Sequence, residues 1–434
     1  MIEKALSNLK IASLNEMQKA ALDAFKKENN IVLLSPTGSG KTLGFLLPLL
    51  SNLNFEISGV QALILAPSRE LALQIEKVFK SIGSGFKVNC CYGGHSMRDE
   101  KNSLEFPPAL LIGTPGRIAA HLRERRIDTK NIKTLVLDEF DKALEFGFQE
   151  DMSAIISQLS NLQKRLLTSA TDAQEIPLFT GIVEPKILNF LTHTAPKGLV
   201  QKYVQSEDDN KLALLFSLIC NIGNQGTIVF CNHREAVDRI GDLLGDYGLP
   251  HAVFHGGMEQ EDRERALIKF RNGSAQLLLT TDLASRGLDI PEIKNIIHYQ
   301  LPPQESSFIH RNGRTARMHA EGTSYLVLSE DEYLPEYVDQ TIERVALPEK
   351  NIMPEKTKWT TLYIGGGKKE KISKGDVVGL LIQKGNLLKD ELGLIEVQDH
   401  ASYVAVKSTK IKDLLNVLRN EKIKGKKLKM EISK

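Results

Sequence analysis

Ser35-Pro36-Thr37-Gly38-Ser39-Gly40-Lys41-Thr42 decides how the rest of the chain is read. The apolar run Ile31-Val32-Leu33-Leu34 leads into it, and a second apolar stretch, residues 43–50, follows. That order predicts strand, glycine-rich turn, helix. Gly38 and Gly40 carry no Cβ, so backbone N–H groups can curl there around an anion. The helix behind the turn points its positive end at the same anion. In this pattern residues 37–42 cradle a triphosphate: Thr37 and Ser39 lie within the turn, Lys41 reaches the β- and γ-phosphates, and the Thr42 hydroxyl holds Mg²⁺. One position departs from G-x-x-x-x-G-K-[ST], because Ser35 stands where the first glycine is expected. A glycine-rich surface turn is the bland alternative, and the flanking strand and helix speak against it.

Outward from this loop, four more apolar runs occupy residues 62–66, 109–113, 135–138 and 165–168. Continuous rather than alternating apolarity predicts strands buried on both faces, hence a parallel sheet between layers of helices. Ligands of such sheets bind beyond the carboxyl ends of the strands. Polar residues gather there: Ser68-Arg69-Glu70, Thr114-Pro115-Gly116-Arg117, Asp138-Glu139-Phe140-Asp141 and Ser169-Ala170-Thr171. Asp138 at a strand end can hold Mg²⁺, largely through water, and Glu139 beside it can orient or activate an attacking water. Two surface acids after a strand are the alternative, and the phosphate loop upstream makes it the weaker one.

The strand pattern repeats at residues 227–230, 252–254, 277–279, 295–298 and 323–328, without a second lysine loop. A second parallel α/β domain is expected, completing a site on the first rather than binding its own nucleotide. It carries His310-Arg311-Asn312-Gly313-Arg314-Thr315-Ala316-Arg317. Arg314 and Arg317 would share a face if this stretch is helical, and guanidinium forks suit the charge that builds on a γ-phosphate. A basic surface helix is the plain alternative.

With 434 residues the chain suggests about three domains. A composition of 41% hydrophobic and 25% charged residues fits a globular protein. The first ten residues lack a signal-peptide core, and no apolar run approaches a membrane span. Cys90, Cys91, Cys220 and Cys231 form neither C-x-x-C spacing nor a disulfide framework, so a cytoplasmic location is expected. From residue 356 onward there are 18 lysines and arginines against 9 acidic residues, a net of +9, leaving −7 for the rest. Such a split marks the tail as a unit that favours a polyanion. Boundaries are expected at 1–192 and 197–345 for the two large domains, 346–359 for a linker with Pro348 and Pro354, and 360–434 for a small α+β domain.

TGSGKT, APSRELA, YGG, TPGR, LDEFD, SAT, VFCN, HGGMEQEDR, TTDLASRGLDI and HRNGRTAR stand in one order. That order resembles the DEAD-box RNA helicases of superfamily 2, over residues 14–329. The resemblance implies an α/β architecture of two RecA-like domains, with ATP and Mg²⁺ as cofactors and RNA as partner. It implies that Gln18 reads adenine, that Asp289 contacts the ribose, and that Arg314 and Arg317 are arginine fingers. Ser169 and Thr171 would link hydrolysis to domain closure through Asp141. Arg69, Gly94, Thr114, Arg117, Thr281 and Arg234 would lie along the RNA backbone. Phe140 stands where the family has alanine, which implies different packing around it. Ile11, and Leu14-Asn15, replace the usual aromatic and Pro-Thr of the adenine motif, which puts adenine stacking in question.

The tail carries TLYIGGGKKEKISKGDVVGLL, ASYVAV and KIKGKKLKMEI and resembles the RRM-like domain of DbpA-type bacterial helicases. That subgroup directs a helicase core to large-subunit ribosomal RNA, so 23S-type RNA is the implied partner, with no membrane and a monomeric protein. Tyr363 and Tyr403 are the candidate base-stacking aromatics. The expected function is an ATP-dependent RNA helicase that remodels structured RNA locally. Two alternatives stay open: an ATP-gated RNA clamp or scaffold with little strand separation, and a DNA helicase of the same superfamily.

Overall fold

A computed structural model describes residues 2–433 apart from Thr37, His95, 172–175, 192–197, Asp209, 283–292 and 316–320. One compact unit is built on a first sheet, and another on a second and a third. The first sheet holds β1 (Asn30–Leu34), β2 (Ala62–Leu65), β3 (Val88–Cys91), β4 (Leu110–Gly113), β5 (Thr134–Leu137), β6 (Lys164–Ser169) and β7 (Lys186–Asn189). Every pairing in it is parallel, and the order is β3-β4-β2-β5-β6-β1-β7. The continuous apolar runs have the meaning expected of them. Along β1, Ile31 and Leu33 enter a core with Phe45, Leu49 and Phe79, whereas Val32 and Leu34 enter another with Ile118, Leu122 and Phe140. Successive side chains point to opposite faces, so a strand covered on both sides must be apolar throughout. Each such side chain contributes about 1.5–3 kcal/mol when fully buried.

The second sheet comprises β8 (Leu199–Gln205), β9 (Thr227–Cys231), β10 (Ala252–Phe254), β11 (Leu277–Thr281), β12 (Asn295–His298), β13 (Gly322–Leu328) and β14 (Glu343–Arg344). Its order, β10-β11-β9-β12-β13-β8-β14, repeats the first strand for strand. β8 is therefore the counterpart of β1. The loop after it carries Ser206, Glu207 and Asp208 where the first sheet has its glycine turn. Asp208 Oδ1 accepts from the Ser206 hydroxyl at 2.9 Å and from the Asn210 N–H at 3.2 Å. Carboxylates occupy the place where a phosphate would need donors.

The third sheet is antiparallel, in the order β16-β17-β15-β18. These strands are β15 (Trp359–Ile364), β16 (Leu392–Val397), β17 (Ser402–Lys407) and β18 (Met430–Ile432). The helix Ile411–Leu418 packs Ile411, Leu414 and Leu418 into a core with Leu362, Ile364, Val404 and Val406. This small domain contacts the turn after the helix Gln260–Arg271. Asn272 Nδ2 donates to Thr361 Oγ1 at 2.9 Å, Thr361 donates to Ser274 Oγ at 2.7 Å, and Arg271 meets Glu396 at 3.0 Å. Gly273 has φ +78°, and a Cβ there would sit 3.3 Å from the Trp359 ring. Among the described residues, no helix is long and apolar enough to cross a membrane.

Candidate active site

The glycine turn joins β1 to the helix Lys41–Asn52. Gly38 and Gly40 have φ +80° and +87°, the left-handed region that a Cβ disfavours. Ser35 is buried and fits without glycine: its hydroxyl donates to Ser39 Oγ at 2.8 Å and its carbonyl accepts from Lys41 Nζ at 2.7 Å. Asn15 and Gln18 form a capping box on the helix Glu16–Lys27. Asn15 Nδ2 also donates to Ser39 O at 2.9 Å, and Gln18 Nε2 to Gly40 O at 3.2 Å. Asparagine thus supplies the N-cap at the altered adenine motif, and the Gln18 amide fixes the phosphate turn. A Cβ on Gly40 would lie 2.6 Å from Gln18 Nε2, a second reason for glycine there. Thr37 lies outside the described residues.

Asp138 and Glu139 follow β5 and are buried. Both the Glu139 N–H (3.1 Å) and the Thr168 hydroxyl donate to Asp138 Oδ1. Burial, reinforced by Glu139, raises the Asp138 pKa from 3.8 to about 6, against the lowering effects of Thr168 and Lys41. Glu139 adopts φ +46°, unusual for a residue with a side chain, and the buried Glu139 Oε2 has no partner among the described residues. Strain, a destabilised carboxylate and an unmatched oxygen together mark a place waiting for positive charge and water. A buried carboxylate and an unmatched oxygen beside it are donors of the kind Mg²⁺ and its water take, so the residues present fit that ion. Ser169 Oγ donates to Thr171 O at 2.6 Å, and Thr171 Oγ1 donates to Asp141 Oδ2 at 3.1 Å, so the polar ends of β6 and β5 are joined. Phe140 replaces alanine by filling the core, its ring 6.4 Å from that of Phe179.

Arg69, Gly94, Thr114 and Arg117 come together at the ends of β2, β3 and β4. Gly94 has φ +83°, and a Cβ there would lie 2.8 Å from Arg69 Nη1. The Arg69 guanidinium lies 5.9 Å from the Tyr92 ring centroid. Thr114 N–H donates to Cys91 O at 3.1 Å, and Arg117 Nε donates to Tyr92 O at 3.0 Å. Glu100, buried beneath this strip, is absent from a reading of local motifs because its partners lie elsewhere in the chain.

In the second domain the helix Glu305–Asn312 stops one turn early, with Gly313 at its end. Arg314 therefore lies in a turn, where it is buried. Arg317 and Asp289 fall outside the described residues. Arg311 is 1% exposed and makes a two-pronged contact with Asp282, Nε–Oδ1 2.6 Å and Nη2–Oδ2 2.8 Å. It also donates to Gln300 O and Asn232 Oδ1, both at 2.7 Å. This arginine is the strut of the second domain, a role that motif spacing does not reveal. Thr281 is buried at the end of β11, and Arg234 is exposed and paired with Glu235 at 2.7 Å.

The aromatic expectation for the tail changes on contact with the structure. Tyr363 and Tyr403 face each other at 5.5 Å in an edge-on pair, but Tyr403 is only 4% exposed. Burial raises its pKa, opposed by a hydrogen bond from Arg265 on the helix Gln260–Arg271. Covered in this way, Tyr403 offers no ring face to a base.

Three family models match along the chain: DEAD/DEAH box helicase at residues 15–177, Helicase conserved C-terminal domain at 210–319, and DbpA RNA binding domain at 361–432. The ATP-dependent RNA helicase DbpA of Bacillus subtilis is 32% identical, over 99% of this chain and 96% of its own. The Escherichia coli protein of the same name is 30% identical with the same coverage. Among solved structures, Mss116p bound to ssRNA and AMP-PNP superposes with a TM-score of 0.71 at 27% identity, covering 80% of this chain and 77% of the other. Saccharomyces cerevisiae Dbp5 bound to RNA and ADP BeF3 gives 0.67 at 25% identity, covering 76% and 87%.

Proposed function

The chain belongs to the DEAD-box ATP-dependent RNA helicases that end in a DbpA RNA-binding domain, and from that premise we propose that it remodels ribosomal RNA locally during large-subunit assembly. The observation that carries the proposal is that one chain holds both the glycine turn with the buried Asp138-Glu139 pair on the first sheet and a basic DbpA-type module at residues 361–432.

In this reading Gly38, Ser39 and Gly40 turn their N–H groups to the triphosphate, and Lys41 leaves the Ser35 carbonyl to meet the β- and γ-phosphates. Mg²⁺ held by Thr42 and Asp138 supplies positive charge to the phosphate oxygens when bound. Glu139, whose Oε2 has no partner among the described residues, takes the proton of the attacking water. Arg314 and Arg317 meet the charge that builds on the γ-phosphate, and the Ser169–Thr171–Asp141 chain passes the state of the nucleotide onward. Gln18 and Asp289 complete the nucleotide contacts. Arg69, Gly94, Thr114, Arg117 and Thr281 track RNA phosphates and sugars, which carry no sequence information. Choice of target therefore falls to the tail. With Tyr403 covered, its lysines rather than stacked aromatics dominate that contact. Monomeric, cytoplasmic action belongs to the same reading.

Deleting residues 359–434 tests it. The truncated protein should keep its intrinsic ATPase but lose its preference for a 23S-type fragment over an unrelated RNA of equal length. The lost affinity should be the salt-sensitive part, because lysine–phosphate contacts release counterions. Retained preference would move specificity to the core.

A further inference from the structure

Glu100 sits on the helix Met97–Leu104 and is 2% exposed. A carboxylate at that depth needs partners. Glu100 Oε1 accepts the Tyr92 N–H at 3.1 Å. Its Oε2 meets Arg117 Nε at 3.1 Å and His121 Nε2 at 2.6 Å. His121 is fully buried, and its Nδ1 has no partner among the described residues, so the ring proton belongs on Nε2, donating to Glu100. Arg117 and His121 are four apart on the helix Pro115–Arg123 and present one face to the carboxylate. Arg117 Nε is shared between Glu100 and Tyr92 O. One side chain thus ties the turn after β3, which carries Gly94, to the helix after β4, which begins at Thr114-Arg117. The Cys91 thiol lies within 4.8 Å of the same carboxylate and imidazole. A metal ion there would compete with the Arg117 charge for a carboxylate oxygen already in use, so hydrogen bonding is the favoured role.

We propose that Glu100 is a positioning residue for RNA: it holds the Arg117 guanidinium and the Tyr92-Gly93-Gly94 turn in the one arrangement that meets consecutive backbone groups. The inference rests on the reading of Arg117 and Gly94 as RNA contacts. Glutamine at position 100 has the shape of glutamate but one acceptor oxygen. Turned toward Tyr92, it presents an NH₂ to Arg117; turned toward Arg117, it presents an NH₂ to the Tyr92 N–H. Either way one arm is released.

The test is RNA-stimulated ATPase of the full chain, with a short single-stranded RNA, for Glu100→Gln, Arg117→Ala and the double variant. Thermal unfolding and ATP affinity are measured alongside. Glu100→Gln should raise the KM for RNA about tenfold, the size expected for a lost charged hydrogen bond. Its kcat at saturating RNA and KM for ATP should stay within about twofold. The double variant should lose clearly less than the product of the two single losses, because the arm from Glu100 to the Arg117 guanidinium can be removed only once. A raised KM in Arg117→Ala with a normal KM in Glu100→Gln overturns the inference. Multiplying effects, or equal losses of kcat and ATP affinity, also overturn it by showing a general structural role. A normal KM in Arg117→Ala instead removes this strip from the RNA reading itself.

Discussion

Asp138→Asn should stabilise the nucleotide-free first domain while ending hydrolysis. Both hydrogen bonds that reach Asp138 from Glu139 N–H and Thr168 fall on Oδ1, and an asparagine carbonyl can accept both. What the substitution removes is a buried charge. In the unfolded chain the carboxyl titrates near 3.8, and in the fold near 6. A carboxyl whose pKa rises on folding binds its proton more tightly in the native state, so its charge costs stability once pH exceeds the unfolded value. The cost is close to zero below about pH 3, about 2 kcal/mol at pH 5, and levels off at about 3 kcal/mol above pH 7. The uncharged amide of the variant should carry none of it. Native-state hydrogen exchange at β5 and β6 reads the opening free energy of this domain without contributions from the others. With chelator present and nucleotide absent, the variant should gain up to about 3 kcal/mol at pH 7.5 and close to nothing at about pH 3. Saturating ATP and Mg²⁺ should narrow the gain, because wild type then recovers its cost by binding. A loss of stability, or a gain that ignores pH, would refute the reasoning.

Glu139→Gln should bind ATP and RNA normally yet turn over about a hundredfold or more slowly, read by RNA-stimulated ATPase at saturation. Arg317→Ala should leave ATP affinity close to wild type while kcat falls by about three orders of magnitude, as expected of a transition-state arginine. A kcat near wild type removes Arg317 from that role. Arg311→Lys should unfold the second domain more easily by about 3 kcal/mol, because one ammonium cannot replace the fork on Asp282 and the donors to Gln300 and Asn232. Hydrogen exchange at β9 and β12 measures that loss, and wild-type protection there would show that the fork is dispensable.

The legible parts of the chain are those whose information is local. β1, β2, β4, β5 and β6 are read because both faces are covered and the runs are apolar without a break. β7 and β8 are not, since Lys-Ile-Leu-Asn and Leu-Val-Gln-Lys-Tyr-Val-Gln each bury one residue and lie at or beside a sheet edge. β16, at the edge of the third sheet with an irregular register, hides for the same reason. The glycine turn and the Asp138-Glu139 pair announce their chemistry within a few residues. Arg311 with Asp282, 29 residues apart, and Glu100 with Arg117 and His121 do not, because the sheet alone brings those partners together. Gly313 ends its helix early, and in arginine-rich sequence that stop is easily passed over. Tyr403 has the strand position of a stacking aromatic, but the helix Gln260–Arg271, far away in sequence, lies against it.

Separation of a short RNA duplex, followed by the release of a labelled strand while ATP turnover is recorded in the same reaction, tests the account most directly. The account predicts release with ATP that is stronger for RNA than for a DNA duplex of the same sequence. It predicts faster release when the duplex is joined to a 23S-type fragment, and no repeated turnover by Glu139→Gln. ATP hydrolysis stimulated by RNA with no strand release under any of these conditions would contradict it and leave an ATP-gated clamp.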